Sequence, residues 1–294
     1  MQYFWIFCAV VTSGLSGLFY KKVSLAAVNK AAAALLPIAW FLPISAVFGA
    51  VGLLSGGLVS APGIVLPALL SGLSAAVCSF SLIESMKRNS YSIAVIIVNL
   101  SFVFPVVFSL IFLKEKAGIL QLIGMLAAVI VILFMNGKSE DGKAGWYAVL
   151  LAALSSLGNG MIDFSIKLQQ YNTPGENEAS FFFFSYLFAS AVSLLMYFLF
   201  RAAGQKAEFD RSDKKSLVLC SGGIAASNGI CFLAVSLLAG VMNAAAEFTV
   251  ITSLSIVLSL VFGWVYMKEK VNLRVILSLV FCAAAIVCQY LNLA

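Results

Sequence analysis

Asp163 and Lys167 stand four residues apart in the apolar stretch "NGMIDFSIKLQQ" (159–170). On a helix they share a face and can form an ion pair. Glu247, in "MNAAAEFTVITS" (242–253), has no basic residue within a turn. Such an acid either reaches a helix end to be solvated, or carries a proton, or faces a cationic group. Asn99, Asn159, Asn228, Thr252 and Ser16 are scattered through similar surroundings. A polar group in an oily medium must find a partner, either another helix or a polar solute. Other chemistry is excluded by composition. The chain has no histidine, so no imidazole can bind metal or shuttle protons. Its six cysteines lie in apolar runs and form no CxxC. No phosphate-cradling GxxxxGK[ST] loop occurs, and no cofactor motif is found.

The elements that position these groups follow from composition. Of the 294 residues, 62% are hydrophobic and only 10% charged, too few charges to cover a surface in water. The solvent for most of the surface is lipid. A spanning helix needs about 20 apolar residues. The sequence predicts ten, at about 2–20, 31–54, 63–83, 90–113, 117–136, 144–166, 180–200, 216–238, 243–267 and 271–292. The apolar runs are long and unbroken, unlike the alternating pattern of barrel strands. Residues 1–20 lack the basic leader and cleavage pattern of a signal peptide and read as a retained first span. Pro37 and Pro43 in the second span and Pro105 in the fourth predict kinks. "SGLSG" (13–17) and "SGGIAASNG" (221–229) offer small surfaces for close helix contact.

"FLKEK" (112–116) returns as "YMKEK" (266–270). Shifted by 154 positions, residues 99–116 lie over 253–270 without a gap, and several apolar residues and the charged triplet are identical. Each copy ends the fourth span of a five-span half. Five is odd, so the second half enters the membrane in the opposite sense, as an inverted repeat. The expected fold is an all-α membrane protein with repeats at 1–137 and 144–294. Under this topology fifteen Lys and Arg fall on one side and three, Lys114, Lys116 and Lys167, on the other. The positive-inside rule makes the rich side cytoplasmic and puts both termini outside a plasma (inner) membrane.

Ten spans in two halves, "SMKRNSYSIAVI" leading into the fourth span, and the span-ending "LKEK" and "MKEK" together resemble the drug/metabolite transporter superfamily, specifically its EamA-type members. The resemblance covers essentially the whole chain. It implies a secondary transporter with a cavity between the halves, built mainly by spans 1, 3, 4, 6, 8 and 9. It also implies termini in the cytoplasm, opposite to the charge bias.

Depth selects the candidate residues. Asn99 lies about 15 Å into the fourth span and Asn228 about 18 Å into the eighth, near the midplane. Thr252 is at similar depth, and Asn159 and Ser16 lie further along spans 6 and 1. With Tyr20 and Phe102 these form the expected substrate-binding set, though each can equally hold helices together. Glu247, roughly 6 Å below the outer edge, and Asp163, near the outer end of the sixth span, are the candidates for proton coupling or cation pairing. Glu84 is set to pair locally with Lys87 and Arg88. Lys21 and Lys22, ending the first span, are expected to snorkel to lipid headgroups. Lone acids and amides, with no midplane Lys or Arg, favour an amino acid or organic amine carried by alternating access, with protons as a coupling ion. The alternative is a lipid scramblase or intramembrane enzyme. The expected partners are a small-molecule substrate, lipid and protons, without nucleic acid, and the expected state is a monomer, a dimer remaining open.

Overall fold

The computed structural model describes residues 2–88, 100–114, 146–173, 177–210, 214–239, 241–242 and 244–266, with isolated positions between 91 and 126 and between 277 and 284. The described residues are helical, without strands; a single bridge joins Ala27 and Phe209. In chain order the helices are α1 (Gln2–Ala26), α2 (Lys30–Leu35), α3 (Ile38–Leu54), α4 (Pro62–Met86), a 3-10 turn (Leu100–Phe102) leading into α5 (Val103–Phe112), α6 (Trp146–Asn172), α7 (Glu178–Ala202), α8 (Lys214–Ala239) and α9 (Ala244–Val265). Most of the fifth and tenth predicted spans, the boundary near residues 137–144, Asn99 and most of the two charged triplets lie outside the described residues.

Local chemistry sets the breaks. Pro37 cannot donate a backbone hydrogen bond, and the second predicted span divides there into α2 and α3. Asn29 caps α2, its Oδ1 accepting from the Ala32 N–H at 2.9 Å. Pro62 occupies the first turn of α4, where no backbone donor is needed. α3 runs on through Pro43. Two helices run further than the sequence predicts. α1 continues through Lys21 and Lys22 to Ala26, and α6 continues to Asn172. Charges stop an apolar run on paper, but not a helix whose ammonium finds an acceptor. Lys21 donates to the Met86 carbonyl at 2.6 Å, and Lys167 to the Ala239 carbonyl at 2.9 Å. As a result Asp163 lies nine residues from the end of α6, about 14 Å, and is not near the helix end as the sequence suggests.

Packing is most extensive between α4 and α6 and between α1 and α8. α7 lies against α3 and α4, α9 against α1, and α5 against α6. Glycines permit two of the approaches. A Cβ on Gly14 would meet Leu258 at 2.9 Å, and one on Gly160 would meet the Ser101 carbonyl at 2.5 Å and Phe104 at 2.7 Å. Outward faces are apolar: Tyr3, Phe7, Leu54, Leu66, Leu199 and Leu219 are all exposed. A belt of this kind is covered by lipid. Five segments among the described residues, Gln2–Ala26, Lys30–Leu54, Pro62–Met86, Glu178–Ala202 and Lys215–Ala239, are long and apolar enough to cross a membrane. The molecule is a multi-pass membrane protein. On one side the 201–210 connection is strapped to the α1–α2 junction, with Val28 N–H donating to Glu208 O and Asp210 N–H to Ala26 O, both at 3.0 Å.

Candidate functional site: a polar cavity in the bundle

The long packed helices leave a cavity of about 100 Å³ between them, room for several waters or part of a small solute. α1 contributes Ser13, Ser16, Gly17 and Tyr20; α4 contributes Cys78 and Ser79; α6 contributes Asn159; α8 contributes Asn228 and Phe232. The Tyr20 and Ser79 hydroxyls lie 3.1 Å apart, and Asn228 Nδ2 donates to the Tyr20 hydroxyl at 3.4 Å. One phenol thus joins α1, α4 and α8. Asn159 Nδ2 donates to Ser101 Oγ at 2.8 Å, and Ser16 Oγ donates to the Ser13 carbonyl at 2.8 Å. Phe41 and Tyr186 close another side, their rings 5.8 Å apart, because α3 and α7 pack together and turn aromatic side chains inward. The Tyr186 hydroxyl is buried with no hydrogen-bond partner among the described residues.

Four of the residues expected from sequence therefore meet: Ser16, Tyr20, Asn159 and Asn228. Phe102 is buried in the apolar core and does not line the cavity. The Thr252 hydroxyl donates to the Phe248 carbonyl of its own helix, and Thr252 does not line the cavity either. Asn99 lies outside the described residues. Phe41 and Tyr186 were not anticipated. The stretch "SFFFFSYLF" (180–188) turns buried and exposed residues to its two sides: Phe181, Phe182 and Tyr186 are buried, Leu187 exposed. The cavity also draws on spans 2 and 7, which the family resemblance did not imply, while α9 adds no lining residue among those described.

A family model for the EamA-like transporter family matches residues 1–137. Over that length the chain resembles the EamA-like transporter family, part of the drug/metabolite transporter superfamily. Proteins of this family are transporters, not enzymes. A solved protein crystal structure aligns with 97% of this chain and 96% of its own, at a TM-score of 0.65 and 16% identity. At that identity the likeness speaks for the fold alone, and it extends over both halves. No curated protein matches the chain.

The acids of the bundle part company. The expected Asp163–Lys167 pair is not made. Lys167 turns to α8 and α9, donating to the Ala239 and Met242 carbonyls and standing 3.6 Å from Glu247. Both side chains of the Lys167–Glu247 pair are buried, at 4% and 0% exposure. Glu247 thus has its basic partner after all, supplied by α6 and not by its own helix, so it neither snorkels nor stands alone. No sequence spacing links positions 167 and 247; only the packing does. Asp163, 6% exposed, has neither ion pair nor hydrogen bond among the described residues. It lies within electrostatic reach of Cys78 and Cys231. Glu84 is buried beside Lys87 and Arg88, the local pairing its spacing predicts. Lys21 does not simply snorkel, since it binds the end of α4, while Lys22 is exposed. Among the described residues no group of three potential metal ligands comes together.

Proposed function

We propose that this chain is a secondary active transporter that carries an amino acid or organic amine across the plasma (inner) membrane by alternating access, with protons as the coupling ion. The observation that carries this reading is the cavity between the packed helices, lined by hydroxyls and amides beside aromatic and aliphatic side chains. Apolar packing alone would fill such a space with side chains, and buried polar groups facing a cavity need water or a solute.

Ten spans in two inverted repeats remain the proposed architecture, with halves at 1–137 and 144–294. Paired details support it. Gly14 packs on Leu258 of α9, and Gly160 on Phe104 of α5, two residues related by the same shift that aligns the charged triplets. Seven residues after each glycine comes a lysine, Lys21 or Lys167. Cys231 Sγ donates to the Ala9 carbonyl of α1, and Ser155 of α6 bonds Cys78. Eight residues after each of these cysteines stand Met86 and Ala239, whose carbonyls receive the two lysines. In the proposed cycle one half rocks against the other about the cavity. Termini outside remain the orientation favoured by the Lys and Arg bias. Of the two acids, Asp163 is the better coupling candidate, because Glu247 is held by Lys167.

Uptake into proteoliposomes tests the proposal. Saturable uptake of an amino acid or amine, accelerated by an imposed pH gradient and reduced by Asn228→Ala, is expected. Uptake no faster than into protein-free vesicles across a metabolite panel removes the transporter reading; saturable uptake indifferent to pH removes only the proton coupling.

A further inference from the structure

We propose that Asp163 is the docking point for a protonated amine, and that the solute is an organic monocation without a carboxylate of its own. The inference rests on the cavity being the solute's binding place and narrows the solute class from amino acid or amine to amine.

Asp163 follows Asn159, a cavity-lining residue, by one helical turn on the same face of α6. It is buried, and no ion pair or hydrogen bond among the described residues reaches it. Its electrostatic reach includes Cys78, which lines the cavity. The correspondence between α1 and α6 adds a separate argument. Gly17 follows Gly14 by three residues, as Asp163 follows Gly160, and Gly17 lines the cavity. At matching places α1 therefore carries no side chain, and α6 carries a buried carboxyl next in sequence to Ile162, which lines the cavity.

A buried carboxylate without a counter-charge is costly, and Lys167 does not neutralise it. A mobile cation can. The rest of the lining suits the remainder of such a solute. No lysine or arginine is among the described lining residues, so a zwitterion's carboxylate would meet only hydroxyls, amides and rings. Phe41, Tyr186 and Phe232 offer aromatic faces, which favour a cation or an apolar body, and the Tyr186 hydroxyl is left to bond a polar group of the solute.

Three probes sharing one ring test this: benzylamine, benzyl alcohol and phenylglycine. Each is titrated against the purified protein, with the shift in melting temperature as readout. Benzylamine is expected to raise the melting temperature, benzyl alcohol and phenylglycine to do so at least about tenfold more weakly. Asp163→Asn, close in shape, is expected to weaken benzylamine by at least about tenfold, while Asp163→Glu keeps binding. Ligand-free melting and gel filtration of the variants confirm that they fold. Equal benzylamine binding by wild type and Asp163→Asn overturns the proposal, as does tighter binding of phenylglycine or benzyl alcohol, or no benzylamine shift in the wild type. Should benzylamine fail while phenylglycine is taken up into proteoliposomes, the transporter reading stands and the amine docking point falls.

Discussion

α1 and α6 are built to one plan and finished differently. Each presses a glycine against a neighbouring helix, Gly14 on Leu258 and Gly160 on the backbone at Ser101. Each then sends a lysine, seven residues on, to a carbonyl at the end of another helix. Between glycine and lysine the chemistry diverges: α1 presents Gly17 and Tyr20, and α6 carries Asp163 and Ile166 at the matching places. The same contrast appears on α4 and α8, where Ala75 and Ser79 stand against Asn228 and Phe232, all four lining the cavity. What packs is repeated; what faces the cavity is not.

The comparison breaks hardest at the lysines. Lys167→Met leaves Glu247 buried without its ammonium and is expected to cost roughly 3–5 kcal/mol in stability. Lys21→Met removes a half-buried hydrogen bond to Met86 and is expected to cost about 1 kcal/mol. Unfolding in detergent measures both, and equal losses would mean that the ion pair adds nothing beyond the shared plan.

The glycines come next. Gly160→Ala drives a methyl into a carbonyl oxygen and a Phe104 Cβ, neither of which yields easily, and is expected to cost about 1–3 kcal/mol. Gly14→Ala meets the end of the Leu258 side chain, which can rotate away, so about 1 kcal/mol or less is expected. A larger loss at Gly14 would reverse which interface is the tighter.

The smallest effect is expected where the halves differ in chemistry. Tyr20→Phe removes the hydroxyl shared by Ser79 and Asn228, at about 0.5–1.5 kcal/mol. Combined with Asn228→Ala it should be non-additive by about 0.5 kcal/mol or more, and strict additivity in a double-mutant cycle would show that the amide and phenol act independently.

Among the described residues the five apolar segments long enough to span were legible because burial in lipid demands long apolar runs, and Pro37 announced its break because proline lacks a donor. Ser16, Tyr20, Asn159 and Asn228 could be picked out because a polar residue in such a run needs a partner. The ends of α1 and α6 were not legible, since Lys21 and Lys167 look like stops until the carbonyls of Met86 and Ala239 are brought beside them. Nor could sequence divide the aromatic residues of "SFFFFSYLF" between lipid and cavity, because both surroundings are apolar and α7 presents rings to each.

By itself the sequence determined an all-helical membrane chain, its apolar faces and the short supply of polar groups from which any site must be made. Those follow from local composition and from the cost of leaving backbone groups bare in lipid. Only the tertiary structure decided that Lys167 belongs to Glu247 and that Asp163 stands apart, buried one helical turn from Asn159 of the cavity lining. Charge pairing depends on distances across helices far apart in the chain, and a spacing of four residues offers a partner without obliging the side chain to take it.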